Sequence, residues 1–242
     1  MLRRLLALVL TTVPIATATA DGPLESQLQA VARGARDRLP EPLLRTYQEA
    51  IGEVRGGGIE DTARQVGDDA PDATLTAWDG TEVTLSELWK SSPLILMWYR
   101  GGWCPYCNVQ LREMQRRLDD IEGAGAKLAV LTPELPRHAR ATAEKNDLDL
   151  VALHDADLAV AEQYGIVFDL PPTIVPSYRD RLGLANYNGS DRMRLPLSAT
   201  YVIDQNGKIS YAFLDADYKK RAEPDAVIAA VRRIVDGEVA NE

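Results

Sequence analysis

The feature that most constrains this chain is an apolar strand that runs almost directly into two closely spaced cysteines. Leu94 to Tyr99 form a continuous apolar run of strand length, which is typical of a central strand covered on both faces. Cys104 and Cys107 follow within Trp-Cys-Pro-Tyr-Cys and are the only cysteines in the sequence. The pattern predicts a strand followed by a turn that carries both thiols.

The residues after the cysteines have helical periodicity. Apolar side chains recur three and four residues apart, at Leu111, Met114, Leu118 and Ile121. This spacing predicts a helix that runs from the cysteines to Gly123, with Cys104 and Cys107 at its start. The unpaired N–H groups at a helix start favour a thiolate, which is the form that attacks sulfur or peroxide oxygen.

Two cysteines three residues apart cannot join distant parts of a fold, so the spacing favours redox chemistry over a structural disulfide. The alternatives are half of a zinc site or an inert buried pair. His138 and His154 are the only histidines, and neither has a ligand-like spacing to the cysteines. We therefore expect no metal and no cofactor.

Strand and helix patterns alternate through the rest of the chain. Asp79-Gly80 and Asn206-Gly207 are two-residue hairpin signals. The pattern predicts further strands at Lys127 to Leu131, Leu150 to His154, Thr200 to Asp204 and Lys208 to Leu214, and helices at Arg137 to Asn146, Asp157 to Tyr164 and Pro224 to Val235. This alternation predicts an α/β fold with parallel strands and right-handed crossovers.

Two segments stand apart from this pattern. Leu24 to Val54 has the apolar spacing of two helices, which we interpret as a prefix without chemistry of its own. Gly165 to Pro196 has no clean period and is rich in proline and glycine, which predicts an insertion or a long ordered loop.

The first twenty residues resemble a secretory signal peptide. Arg3 and Arg4 precede an apolar run, and Ala18-Thr19-Ala20 fits a cleavage site, so we expect an exported protein that is cleaved after Ala20. The apolar part is short and contains Pro14, which argues against stable membrane insertion. With 27 basic and 36 acidic residues the net charge is −9, and the absence of a basic cluster argues against a nucleic-acid partner.

Several motifs, taken in order, resemble the peroxiredoxin-like AhpC/TSA family, including its bacterioferritin-comigratory type. They are Val66-Gly67-Asp68-Asp69-Ala70-Pro71-Asp72, the Asp79-Gly80 hairpin, Tyr99-Arg100-Gly101-Gly102-Trp103 before the cysteines, and Tyr201-Val202-Ile203-Asp204 before Asn206-Gly207. The resemblance implies a thioredoxin-like fold, with a central mixed sheet flanked by helices. The domain boundaries that follow are a signal peptide at 1–20, a helical N-terminal extension at 21–66 and the thioredoxin-like domain at 67–236.

The family resemblance also implies an activity. Family members reduce hydrogen peroxide or organic hydroperoxides with a cysteine thiolate, which becomes a sulfenic acid and then a disulfide with a second thiol. Here that redox-active disulfide is Cys104–Cys107, regenerated by thioredoxin or a similar dithiol donor, and a homodimer is a candidate assembly. The family signature Pro-x-x-x-Thr-x-x-Cys places Cys107 at the reacting position, Cys104 in place of Thr and Arg100 in place of Pro.

The resemblance leaves open which sulfur attacks first, because the thioredoxin pattern makes Cys104 the nucleophile and Cys107 the resolving thiol. Arg100 is a candidate donor that polarises the peroxide bond; the alternative is a solvated loop arginine. Ser198 stands where thioredoxin-like folds place a cis-proline, and the isomer of Pro196, two residues earlier, is open. The alternative functions are an exported thiol-disulfide oxidoreductase acting on protein disulfides and a non-catalytic redox sensor.

Overall fold

Nine strands organise the part of the chain that the structure describes. The computed structural model describes residues 23–237. The strands are β1 (Thr74–Ala77), β2 (Glu82–Thr84), β3 (Leu94–Trp98), β4 (Lys127–Thr132), β5 (Ala152–His154), β6 (Val167–Asp169), β7 (Arg194–Pro196), β8 (Thr200–Ile203) and β9 (Ile209–Phe213).

Seven of these strands form one mixed sheet, in the order β2-β1-β5-β4-β3-β8-β9. Strands β3, β4 and β5 run parallel, and Met97 lies opposite Val130 in the β3–β4 register. Strand β8 runs antiparallel to β3, and the hairpins at Asp79-Gly80 and Asn206-Gly207 join β1 to β2 and β8 to β9 as predicted. Strands β6 and β7 pair in a separate two-stranded ribbon. The predicted thioredoxin-like arrangement of a mixed sheet flanked by helices is confirmed.

Helices cover both faces of the sheet. They are α1 (Leu24–Arg38), α2 (Glu41–Gly56), α3 (Ile59–Thr62), α4 (Leu85–Ser91), α5 (Pro105–Arg116), α6 (Leu118–Gly123), α7 (Pro136–Asn146), α8 (Ala159–Gln163), α9 (Leu184–Asn188) and α10 (Pro224–Val235). A turn of 3-10 helix at Ala156–Leu158 precedes α8, and a π-helical segment spans Ser177–Leu182.

Strand β3 is buried on both faces, which explains its continuous apolar sequence. Ile95 and Met97 pack in the core cluster that contains both cysteines, whereas Leu94, Leu96 and Trp98 pack in the cluster on the opposite face. Each such side chain contributes about 1.5–3 kcal/mol when it is removed from water. The strand that leads to the thiols is therefore firmly anchored in the core.

Buried Asp155 fastens the sheet to α8. Its carboxylate accepts hydrogen bonds from the backbone N–H groups of Val160 and Ala161 and from the indole N–H of Trp98, at 2.8–3.0 Å. A carboxylate is stabilised at a helix start because it pairs with N–H groups that have no partner within the helix. Asp155 therefore holds the first turn of α8, which begins at Ala159.

Three expectations from the sequence differ from the structure. The helix after the cysteines breaks at Arg117, which has non-helical backbone angles, and becomes α5 and α6. The helix predicted from Asp157 starts only at Ala159, because Asp157 and Leu158 have positive φ. The segment from 165 to 196, expected to be an insertion or a long ordered loop, contains β6, the π-helical segment, α9 and β7, so the loop alternative is wrong. Pro196 lies in β7 with a trans peptide bond.

The predicted leader at 1–20, with its cleavage point after Ala20, lies outside the described residues. Within residues 23–237, none of the helices has the length and apolar character needed to cross a membrane.

Candidate active site

The start of α5 positions both cysteines beside the end of β3. Cys104 is the residue that caps α5, and Pro105 occupies the first helical position, where its fixed φ suits a helix and its missing N–H costs nothing. Cys107 follows in the first turn. Both thiols are free, and Cys104 is 2% exposed while Cys107 is fully buried.

The pKa values of the two thiols are shifted in opposite directions. Burial opposes a charge on Cys107, but the thiol of Cys104 donates a hydrogen bond to it, and the guanidinium groups of Arg221 and Arg100 add positive charge. Together they bring the pKa of Cys107 well below its usual value. Burial and the shared hydrogen bond raise the pKa of Cys104. The arrangement favours a thiolate at Cys107 and a protonated thiol at Cys104.

Arg221 is the closest cationic partner of the sulfurs, and it was missed in the sequence. Its Nη2 donates to the Sγ of Cys107 at 3.3 Å, and its Nη1 donates to the carbonyls of Lys220 and Tyr218. Arg221 is 5% exposed and lies in the connection between β9 and α10. It is 114 residues from Cys107, so no local spacing links the two.

Arg100 is also buried, so the alternative of a solvated loop arginine is wrong. Its Nη2 donates to the hydroxyl of Tyr178 at 2.5 Å. Its guanidinium carbon lies 4.5 Å from the ring centre of Tyr218 and 5.3 Å from that of Trp103. The Arg100 guanidinium thus contributes charge to the thiols from an aromatic enclosure, while the guanidinium hydrogen bond to the sulfur of Cys107 comes from Arg221.

Two glycines let the loop before the cysteines pack closely. A Cβ atom on Gly102 would lie 1.8 Å from the hydroxyl of Thr142, and one on Gly101 would lie 2.1 Å from the indole nitrogen of Trp103. The carbonyl of Gly102 accepts a hydrogen bond from the side chain of Asn108 at 2.8 Å. These contacts fix the loop against α5 and α7.

Glu134 is a second buried ionisable group that was missed in the sequence. It is fully buried just after β4, and neither carboxylate oxygen accepts a hydrogen bond of standard geometry. Burial raises its pKa to about 7; the backbone of Gly102 partly opposes this, and the negative charge of Cys107 adds to it. A carboxyl that titrates near neutral pH therefore lies behind the thiols.

A cavity of about 580 Å³ reaches the site from solvent. Cys104, Arg100 and Trp103 form one wall, and Tyr178 from the π-helical segment forms another. Helices α1 and α2, the prefix interpreted as having no chemistry of its own, supply the outer wall of the cavity and shape access to Cys104. Cys107 does not line the cavity.

Other polar residues considered from the sequence have structural partners. Glu113 is buried, accepts a hydrogen bond from Gln27 at 2.8 Å and forms an ion pair with Arg116. His154 is half-buried on β5, where burial lowers its pKa. No cluster of three or more potential metal ligands occurs in the part of the chain that the structure describes.

The chain is similar to known proteins in both sequence and structure. Among curated proteins, peroxiredoxin Bcp of Escherichia coli K12 is 26% identical over 164 residues, covering 68% of this chain and 93% of the relative. Among solved structures, peroxidoxin BcpB of Mycobacterium tuberculosis aligns with a TM-score of 0.55 and 22% identity, covering 70% of this chain and 97% of that one. A peroxiredoxin-like protein from Aquifex aeolicus aligns with a TM-score of 0.57 and 18% identity, covering 71% and 88%. These structural likenesses show the fold.

The family match is broader than the motif around the cysteines. Residues 66–212 match the AhpC/TSA family. That segment contains both cysteines, Arg100 and Glu134, and it leaves out α1, α2 and Arg221. Because the match spans more than half of the sequence, this chain belongs to the AhpC/TSA family.

Proposed function

We propose that the protein is an exported thiol peroxidase that reduces hydrogen peroxide or organic hydroperoxides with Cys107 and Cys104. The observation that carries this proposal is the hydrogen bond from Arg221 to the Sγ of Cys107, at the thiol whose pKa is lowered. Family membership supports the reaction class, since the relatives in the comparison are named peroxiredoxins.

In the first step, the Cys107 thiolate attacks the terminal oxygen of the hydroperoxide. A sulfur–oxygen bond forms, the O–O bond breaks, and the departing alkoxide or hydroxide takes a proton from water. The peroxide is reduced by two electrons and Cys107 becomes a sulfenic acid. The buried charges of Arg221 and Arg100 stabilise the negative charge that moves from sulfur to the leaving oxygen.

In the second step, Cys104 attacks the sulfur of the sulfenic acid. Cys104 loses its proton, the hydroxyl leaves as water, and a Cys104–Cys107 disulfide forms. The thiols of Cys104 and Cys107 already share a hydrogen bond, so their sulfurs are close and this step needs little backbone movement. Two electrons from an external thiol donor then restore both thiols.

Burial argues against the alternative of a thiol-disulfide oxidoreductase that acts on protein disulfides. Such an enzyme presents a nucleophilic sulfur to a folded or extended protein chain. Here Cys104 is 2% exposed, in a cavity walled by α1, α2 and the π-helical segment, and Cys107 is fully buried. A small peroxide reaches this site more readily than a protein disulfide does.

The proposal is tested by comparing peroxide reduction by the Arg221→Met variant and by the wild-type protein. Removing the charge and the hydrogen bond raises the pKa of Cys107, so we expect the rate constant for peroxide reduction at pH 7 to fall by about tenfold or more. The pH profile should shift to higher pH. Peroxide consumption is followed with dithiothreitol as the electron donor, and Arg232→Met, on the exposed face of α10, is the matched control. Wild-type turnover no faster than free dithiothreitol would sink the proposal.

Export is supported by the N-terminal pattern of Arg3, Arg4 and Ala18-Thr19-Ala20. We expect the mature protein to begin at Asp21 and to lie outside the cytoplasm. Intact-mass measurement of protein recovered from the exported fraction checks this expectation, and a full-length mass confined to the cytoplasm would contradict it.

A further inference from the structure

The cavity beside the site meets only one of the two sulfurs. Cys104 lines it, whereas Cys107 lies behind, fully buried. A molecule that occupies the cavity therefore contacts the thiol that closes the disulfide rather than the thiolate that opens the reaction.

The size of the cavity distinguishes between two classes of electron donor, small thiols and folded proteins. The 580 Å³ volume is within the range of sites that hold drug-sized molecules. A folded protein with its own dithiol must instead bring a sulfur past α1 and α2, which wall the cavity, to a Cys104 that is only 2% exposed. Because the two sulfurs already share a hydrogen bond, closing the disulfide does not require these helices to move. The described geometry admits a small thiol and obstructs a protein one.

When a donor thiolate attacks the disulfide, attack on the sulfur of Cys104 gives a better leaving group than attack on the sulfur of Cys107. When an incoming thiolate attacks the Cys104 sulfur of the disulfide, Cys107 leaves as a thiolate. That thiolate receives the hydrogen bond from Arg221 and the charge of Arg100. Exchange is faster when the leaving thiol has a low pKa, so access and reactivity coincide at the same sulfur.

The walls of the cavity indicate what kind of thiol it takes. Its interior is mainly aliphatic and aromatic, with Leu39, Leu44, Tyr47, Tyr106 and Leu182 among the lining residues. Such surfaces favour a molecule with an apolar body.

The charged residues of the cavity are mostly cations, in a chain whose net charge is −9. Arg36 and Arg45 are exposed and, within residues 23–237, have no ion-pair or hydrogen-bond partner for their guanidinium groups. Lys219 is held by Asp217 at 3.3 Å and Gln48 at 3.2 Å, and Glu41 is the single acidic lining residue. Two guanidinium groups without such partners, beside an apolar cavity, can bind the carboxylate of a ligand.

We propose that this cavity binds the reductant of the enzyme, and that the reductant is a small thiol with an apolar body and a carboxylate. The inference rests on the proposed dithiol cycle and specifies its electron donor. The thiolate attacks Cys104, forming a mixed disulfide and releasing the Cys107 thiolate. A second thiol group, from the same or another molecule, then attacks the donor sulfur of the mixed disulfide. The donor leaves as a disulfide, and Cys104 takes up a proton.

Dihydrolipoate and dihydrolipoamide make a matched pair of probes, because both are small dithiols with the same apolar chain and only the first has a carboxylate. The Cys104–Cys107 disulfide is formed with diamide, so the test does not depend on peroxide chemistry. Reduction is followed by counting free thiols by mass spectrometry after acid quenching and alkylation. The proteins compared are the wild type, an Arg36→Gln/Arg45→Gln double variant, and an Arg33→Gln/Arg38→Gln control on α1 away from the cavity.

We expect saturable reduction by dihydrolipoate, about tenfold more efficient than by dihydrolipoamide, which corresponds to about 1.4 kcal/mol. The Arg36→Gln/Arg45→Gln variant should lose this preference and the control should keep it. Equal rates with the two probes would overturn the proposal. Faster reduction by thioredoxin than by dihydrolipoate, at equal thiol concentration, would also overturn it. A third contrary result is that Arg36 and Arg45 change only the rate at which a carboxylate-bearing hydroperoxide oxidises the protein, and not the rate of disulfide reduction. Failure of peroxide to oxidise Cys107 would instead refute the proposed function. It would not affect the measurement of disulfide reduction, because that disulfide is formed with diamide.

Discussion

Cys107→Ser should reduce peroxide turnover by at least roughly a thousandfold, whereas Cys104→Ser should complete the first oxidation and stop there. A serine hydroxyl at position 107 stays protonated at neutral pH, so Arg221 and Arg100 have no thiolate to stabilise. Serine at position 104 retains a hydroxyl that can donate to Cys107, so that sulfur keeps most of its acidity. The two variants remove one sulfur each and are matched controls for one another.

A sulfenic-acid reagent distinguishes the sulfurs after peroxide is added. In Cys104→Ser we expect the label on Cys107, one equivalent of peroxide consumed and no further turnover. In Cys107→Ser we expect little label, because burial raises the pKa of Cys104. Rapid labelling of Cys104 in that variant would show that Cys104 attacks first, as in the thioredoxin pattern, and would reverse the proposed roles.

Glu134→Gln should abolish a decrease in stability that the wild-type protein undergoes between about pH 5 and pH 8. The pKa of Glu134 is about 7 in the folded protein, against a usual value of 4.5, so the folded state holds this proton more tightly than the unfolded state. The resulting stabilisation is fully present below pH 4.5 and is lost as pH rises through 7. The difference corresponds to roughly 3 kcal/mol in the free energy of unfolding.

Urea denaturation of the reduced proteins at several pH values measures this effect. The curve of unfolding free energy against pH for Glu134→Gln should be flatter than that of the wild type. Glu144→Gln, which removes an exposed carboxylate on α7, should follow the wild-type curve. Because the charge of Cys107 raises the pKa of Glu134, forming the disulfide should move the decrease to lower pH. Parallel curves for wild type and Glu134→Gln would contradict the assignment.

The frame of the fold could be predicted because its signals are local. Asp79-Gly80 and Asn206-Gly207 define their hairpins by turn chemistry alone, and Pro224 starts α10 at the predicted residue. The buried strand β3 was recognisable because a strand covered on both faces has no polar alternation. Each of these features depends on residues within a few positions of one another.

The site could be predicted only in part, because its electrostatics depend on distant segments. Cys104 and Cys107 were identified by spacing, but Arg221 comes from the connection before α10, and Glu134 from the residues after β4. Neither has a sequence pattern that indicates burial beside a thiol. The segment from 165 to 196 was unreadable for a similar reason, since the ribbon of β6 and β7 is too short to show a period.

Because α1 and α2 wall the cavity beside Cys104, the residues that control access to the thiols lie in a different part of the chain from the thiols themselves. The sulfurs and Arg100 lie within residues 66–212, and Arg221 lies beyond them, whereas the outer wall of the cavity precedes them in the chain. Substitutions in the two N-terminal helices can therefore change which molecules arrive without altering the groups that react. Under the proposed function, exchanging this one segment would present the same sulfurs to a different electron donor.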